Sequence, residues 1–329
     1  MSRVRPHGRT YAPAVSAPSL CLGGNVFGWT LDEAQSFAVL DAFVAGGGTR
    51  IDTADVYASW VPGSSGGDSE RIIGAWLRSR GCRDDVVLAT KVGSEMAPSR
   101  KGLAPAYVRA AAEDSLLRLG VDHVDLLYAH YDDPSTPVAE ALWGLDELVR
   151  TGKVRALGAS NFTAERLAEF LAVADRDGLA RFSALQPEYN LLDRDGFEGA
   201  LAGLCASEGL EVLPYYALAN GLLTGKYRRG EPLPATARGE EIAELYLADG
   251  GERAWDVVDA VLAVAARHGA TPAQVALAWL AARPGVTAPI ASATSPAQVR
   301  ELLGASALTL DTEDMDMLDT TGRTAEAGA

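Results

Sequence analysis

Side chains that ligate metals or cross-link a fold are scarce in this chain, which has three cysteines and four histidines among 329 residues. Cys21, Cys82 and Cys205 are odd in number, far apart and outside metal-ligand spacing, which argues against a disulfide scaffold or a structural zinc site. They read as reduced thiols of a cytosolic protein. No two histidines stand at His-x-x-x-His spacing, so no metal is expected. Basic residues are also in deficit, 29 Lys and Arg against 44 Asp and Glu, for a formal charge of -15. Such a balance disfavours nucleic acid and anionic membrane as partners, and an anionic ligand would need a local basic site. No apolar run approaches the roughly 18 residues of a membrane span, and the Arg-rich start Met1–Thr10 lacks the apolar core of a signal peptide. The expected location is cytoplasmic, with no membrane segment.

What the chain does have is core-forming material, 48% hydrophobic residues with 22% charged. Strand-length apolar runs recur at Leu20–Leu22, Arg50–Thr53, Val86–Lys91, Val124–Tyr128, Val154–Ala159, Ser183–Gln186, Glu211–Tyr215 and Val286–Ile290. Between them lie stretches of helical period: Asp32–Ala45, Ser69–Arg80, Pro105–Leu119, Val138–Thr151, Thr163–Arg176, Phe197–Glu208 and Pro272–Ala282. N-cap residues Asp32, Ser69, Thr163 and Thr271 open several of them, and Gly46, Gly81, Gly120, Gly152, Gly178 and Gly209 close others. Continuously apolar strands alternating with helices predict a parallel sheet covered on both faces. No Gly-x-Gly-x-x-Gly follows the first strand, where Leu22-Gly-Gly-Asn-Val-Phe-Gly28 stands instead. Eight units without that fingerprint predict an α/β fold of the closed (β/α)8 TIM-barrel type, one domain over residues 1–329, rather than an open dinucleotide-binding sheet.

Chemistry in such barrels gathers at the carboxyl ends of the strands. Asp52, Lys91 and His130 fall there, with Tyr57 a few residues beyond the second strand. Tyr57 has the acid strength to protonate an oxyanion as hydride reaches a carbonyl carbon. Lys91 would lower the phenol pKa, Asp52 would hold Lys91 charged, and His130 would fix the direction of the carbonyl oxygen.

These segments resemble the aldo-keto reductase superfamily. Its Asp-Thr-Ala-x-x-Tyr, Thr-Lys, Asp-Leu-x-x-x-His and Gly-x-Ser-Asn-Phe motifs occur in order as Asp52–Tyr57, Thr90-Lys91, Asp125–His130 and Gly158–Phe162. The resemblance runs from Arg5–Thr10, which it implies is an N-terminal β-hairpin at the barrel bottom, to Leu310–Asp314. It is similar to the bacterial-type branch that includes potassium-channel β subunits. Implied are reduction of a small-molecule aldehyde or ketone, with Asp52, Tyr57, Lys91 and His130 catalytic, and NADPH/NADP+ as cofactor in preference to NADH. The implied cofactor cleft includes Gly24 and Asn25, with Ser160, Asn161 and Gln186 at the nicotinamide carboxamide, Tyr215 stacked on its ring and Tyr216 beside it. Leu218, Asn220, Gly221, Lys226 and Arg238 would face the pyrophosphate, and Ser292, Thr294, Gln298 and Glu301 the adenosine end. Trp29, Trp60 and Tyr131 would frame a substrate pocket for a flat or sugar-like carbonyl compound. The Gly230–Gly251 stretch is the candidate lid, and a homo-oligomer is compatible with the chain. Two other readings stay open: an NADP-holding interaction module with little turnover, and a Schiff-base lyase using Lys91 as nucleophile.

Overall fold

The structure, a computed structural model, describes residues 20–322; the hairpin expected at Arg5–Thr10 lies outside them. Eight parallel strands follow one another around a barrel: β1 (Cys21–Gly23), β2 (Arg50–Asp52), β3 (Val87–Val92), β4 (Val124–Ala129), β5 (Val154–Ser160), β6 (Phe182–Gln186), β7 (Glu211–Val212) and β8 (Ile290–Ala291). From β1 to β7 each strand pairs with the next, and β8 pairs with β1. Closure comes from a parallel bridge of Val212 to Val286 and from the Ile290 N–H donating to the Pro214 carbonyl at 2.8 Å. The eighth strand therefore begins later than the apolar run Val286–Ile290 suggested, because Val286 and Thr287 close the barrel as an irregular crossing.

Eleven helices surround the sheet among the described residues: α1 (Glu33–Ala45), α2 (Asp68–Arg80), α3 (Pro105–Leu119), α4 (Val138–Arg150), α5 (Ala164–Asp177), α6 (Ala200–Glu208), α7 (Gly239–Tyr246), α8 (Glu252–His268), α9 (Pro272–Ala281), α10 (Pro296–Leu303) and α11 (Thr312–Gly322). Asp32 and Thr271 cap α1 and α9 in reciprocal capping boxes with Gln35 and Gln274, and Thr163 caps α5. Ser69 is not a cap. Gly67 occupies that position, and Ser69 is buried inside α2, donating to the Gly24 carbonyl at 2.7 Å and sharing a 2.8 Å bond with the Thr53 hydroxyl. The helices press closely on one another where glycine permits it. A Cβ on Gly74 of α2 would stand 2.4 Å from the Leu119 carbonyl oxygen at the end of α3.

Apolar side chains fall into two layers. The larger lies between strands and helices, and a smaller one (Cys21, Ala89, Leu126, Tyr128, Ala184, Leu213, Ala288 and Ile290) fills the lumen. Period-two alternation along a strand puts every second side chain inside. On β2 that rule sends Arg50 inward, where it meets Glu211 of β7 at 3.0 Å across the lumen, and two residues later sends Asp52 inward as well. On β3 the same step leads from Ala89 to Lys91, the top of the lumen and the start of the site. No helix among the described residues is long and apolar enough to cross a membrane.

Candidate active site

Asp52 and Lys91 are 2% and 1% exposed, so each charge needs a partner. Lys91 Nζ donates to Asp52 Oδ2 at 2.6 Å, to the Thr53 carbonyl at 2.9 Å and to Tyr57 Oη at 2.8 Å. An ammonium has three protons, and all three are engaged. The other Asp52 oxygen accepts from Gln186 Nε2 at 2.9 Å. Because Tyr57 Oη accepts from Lys91, its own proton remains free to be donated outward.

Tyr57 reaches this position on a loop whose base follows the sheet. The Thr53 N–H donates to the Ala89 carbonyl and the Asp55 N–H to the Lys91 carbonyl, while the Gly67 N–H closes the loop on the Tyr57 carbonyl at 3.1 Å. His130 continues β4, its N–H donating to the Val92 carbonyl at 2.9 Å. The Tyr57 and His130 ring centroids are 6.4 Å apart at 77°. His130 Nδ1 is buried and spends no hydrogen bond within the protein.

Burial dominates the electrostatics. It raises the Tyr57 pKa to about 12, outweighing the ammonium of Lys91, with Asp52 adding to the rise. Lys91 does pull the phenol pKa down, as the sequence argument held, but desolvation of the phenolate, which that argument left out, is larger and sets the net direction upward. Burial also works against the Lys91 cation, but attraction to Asp52 and Tyr57 wins and its pKa is raised. His130 is driven well below its usual value by burial and then by the Lys91 charge, so the imidazole is neutral at neutral pH.

Around this core the other predicted residues form linked groups. Ser160 donates to the Gln186 carbonyl at 2.9 Å, and Asn161 Nδ2 donates to the His130 carbonyl at 2.9 Å. Tyr215 donates to Asn161 Oδ1 at 2.7 Å and lies 5.0 Å from the Tyr216 ring. Gly24 is buried with its N–H on the Asp52 carbonyl, while the Asn25 side chain accepts from Ser292 at 2.5 Å. Leu218 opens the tight turn Ala219–Thr224, in which Asn220 and Gly221 have φ of 55° and 105°. The buried Asn220 Nδ2 has no partner, and Asn220 Oδ1 accepts from Arg238 at 3.0 Å. Arg238 lies over the rings of both Trp29, at 5.4 Å, and Tyr216, at 5.8 Å. Exposed Lys226 makes no ion pair among the described residues, and desolvation followed by Arg238 lowers its pKa. Helix α7 falls within the stretch read as a lid, its Glu241 accepting from Tyr216 at 3.4 Å.

The adenosine-end candidates are coupled to each other. Thr294 donates through both N–H and hydroxyl to Gln298 Oε1, whereas Glu301 contributes its backbone carbonyl to Gln274. Trp29 meets Trp60 edge to face at 5.7 Å, Trp60 meets Tyr57 at 6.1 Å, and Tyr131 stacks on His130 at 5.1 Å. A separate cavity of about 350 Å³ beside the start of α5 shares only Asn161 with the predicted residues. The sequence reading missed two contributors. Thr53 supplies a backbone carbonyl, which has no side-chain signature; Glu188, 3.4 Å from the Tyr215 hydroxyl, stood in Gln186-Pro-Glu-Tyr-Asn190 and was passed over.

With this geometry in view, comparison with known proteins is decisive. Residues 19–323 match the sequence model of the Aldo/keto reductase family. The chain belongs to the aldo/keto reductase family. It is 34% identical over 310 residues to Protein tas of Escherichia coli (strain K12), covering 87% of this chain and 89% of that one. It is equally identical, over 291 residues, to Aldo-keto reductase str7 of Strobilurus tenacellus, covering 88% and 81%. Over 282 residues it is 34% identical to a protein of Oryza sativa subsp. japonica named "Probable voltage-gated potassium channel subunit beta", covering 84% and 83%. Membership in this family of aldo/keto reductases supports an oxidoreductase activity on small-molecule carbonyl compounds, and the family generally uses NAD(P)H.

Proposed function

We propose that this protein is an NADPH-dependent reductase that converts aldehyde or ketone groups of small molecules to alcohols, with Tyr57 as general acid and His130 orienting the carbonyl. The observation that carries this reading is the saturated Lys91 ammonium, whose third bond ends on the Tyr57 oxygen and leaves the phenol proton pointing to other acceptors. A phenol held up at about 12 stays protonated through physiological pH and is still a stronger acid than the alcohol whose oxygen it would protonate. Once it has donated, the phenolate sits 2.8 Å from a cation that Asp52 keeps charged. Neutral His130, with one buried ring nitrogen unspent, has hydrogen-bonding capacity left for a carbonyl oxygen. The fixed Lys91 ammonium favours negative charge developing on oxygen over the neutral ground state, and Asp52 acts only by holding that ammonium charged and in place.

An anionic dinucleotide fits the residues present. Lys226 is a cation without a carboxylate partner among the described residues, and the buried Asn220 amide, on the turn just before it in sequence, has an unused donor. Lys226, Asn220 and Arg238 would hold the phosphates, Tyr215 the nicotinamide ring, and Ser292, Thr294 and Gln298 the adenosine end. When bound, NADPH supplies the hydride. The choice of NADPH over NADH in this reading rests on the neutral hydroxyl and amide groups of Ser292, Thr294 and Gln298, which can hydrogen-bond a 2′-phosphate.

Likeness to a protein named as a potassium channel β subunit supports a second reading, a nucleotide-holding module with negligible turnover. Mixing the protein with NADPH and 4-nitrobenzaldehyde decides between them. Loss of nicotinamide absorbance with stoichiometric alcohol is the expected result. Tight nucleotide retention without consumption, across a broad carbonyl panel, favours the second reading instead.

A further inference from the structure

We infer that the substrate is a flat, uncharged aryl aldehyde or ketone and that carbonyl compounds carrying a carboxylate are rejected; this rests on the reading of Tyr57 and His130 given above. Two independent observations meet at the mouth of the site. The first is a bracket of rings. Trp60 contacts Tyr57 and Trp29 edge to face, while Tyr131 stacks nearly parallel on His130, at 18°. Trp60 and Tyr131 are 47% and 48% exposed, so both flanks of the reacting groups leave large aromatic surface uncovered. A planar ring sliding between them covers that surface and gains offset or edge contacts, which a puckered or heavily hydroxylated chain does not.

The second observation is charge. Glu188, Asp193 and Glu241 gather near Tyr215 and Tyr216, taking hydrogen bonds from tyrosines at 3.4, 2.7 and 3.4 Å, and none makes an ion pair among the described residues. Burial raises the pKa of Glu188, and the nearby charges of Asp193 and Glu241 raise it further, which fits mutual repulsion in one patch. Among the described residues the guanidinium lying against these rings is Arg238, committed to the Trp29 and Tyr216 rings and to Asn220. Lys91 is neutralised by Asp52, and Asp132 by Arg166. Among the described residues these rings carry three carboxylates against the Arg238 guanidinium, so a substrate carboxylate would enter a patch of net negative charge.

The test is a matched set of aldehydes reduced with NADPH: methyl 4-formylbenzoate, the corresponding free carboxylate, and glyceraldehyde as a small hydroxylated comparison. Expected is a kcat/KM for the ester on the order of tenfold or more above the carboxylate, with the gap narrowing as salt is added. The Glu188→Gln, Glu241→Gln double variant should narrow it too. Trp60→Ala should raise KM for the ester more than it lowers kcat, and Trp60→Phe should restore most of the loss. Equal or better use of the carboxylate or of glyceraldehyde, or an unchanged ester KM in Trp60→Ala, overturns the specificity while the reductase reading stands. Absence of reduction with all three and with a wider carbonyl panel overturns both.

Discussion

Replacing Tyr57 by Phe removes one oxygen from the centre of the site, and the structure allows its consequences to be separated. Lys91 keeps Asp52 at 2.6 Å and the Thr53 carbonyl at 2.9 Å, so the buried ion pair survives and no charge is orphaned. The stability cost is that of a single hydrogen bond from a buried ammonium, about 1.5–3 kcal/mol. Catalysis loses its acid. General acid contributions of about 100- to 10,000-fold correspond to roughly 2.7–5.4 kcal/mol in the barrier, read as turnover of the folded enzyme and so separable from the stability loss. Nucleotide affinity should stay within about threefold of the parent, because the proposed phosphate contacts lie on Asn220, Lys226 and Arg238, away from the removed oxygen. The assay pairs steady-state reduction of 4-nitrobenzaldehyde with NADPH titration of tryptophan fluorescence and a urea melt. Turnover within about threefold of the parent, with a folded protein and normal nucleotide binding, would refute Tyr57 as the proton donor.

Three further outcomes are expected. Reduction should be flat with pH from about 7 to 10: the acid form of Tyr57 is the active one and is lost only as pH rises towards about 12, and His130 gains its proton only well below 6.5; an acid or base limb inside that window in the kcat profile counts against these assignments. Lys226→Ala should raise the NADPH dissociation constant by roughly tenfold or more, the scale of one charged hydrogen bond, while leaving turnover at saturating nucleotide nearly unchanged; fluorescence titration checks it, and unchanged affinity removes Lys226 from the cleft. Gly74→Ala should cost about 1–3 kcal/mol in a denaturant melt, since its Cβ would stand 2.4 Å from the Leu119 carbonyl oxygen and helices α2 and α3 must separate; a neutral or stabilising result would mean that this contact relaxes freely.

Legibility in the sequence followed how local each signal was. Strands β4 to β6 were readable because each is a largely apolar run leading to a polar side chain, as in Val124–Ala129 before His130. The β8 region was misplaced because Val286 and Ile290 look alike in sequence, while barrel closure decides which of them pairs regularly. Helix α8, Glu252–His268, was missing from the helices named from sequence although its apolar stripe is strong; it follows an irregular connection after β7 and lies outside the one-strand, one-helix rhythm that guided the reading. Ser69 carries a side chain that caps helices well, yet the buried bonds to Gly24 and Thr53 claim it, which only tertiary packing reveals. At the site, residue types were legible and their electrostatics were not. The ammonium beside Tyr57 could be inferred from Thr90-Lys91, whereas the depth of burial that reverses the sign of the phenol shift depends on the whole barrel.

The most direct measurement follows a label. Supplying NADPH deuterated at the transferred C4 position, with an aryl aldehyde in ordinary water, asks where the hydrogen on the new carbinol carbon originates. The account requires one deuterium at that carbon for each nucleotide consumed, with the hydroxyl proton from Tyr57 and solvent. Alcohol without the label, or nucleotide held on the protein with no alcohol formed, would contradict it.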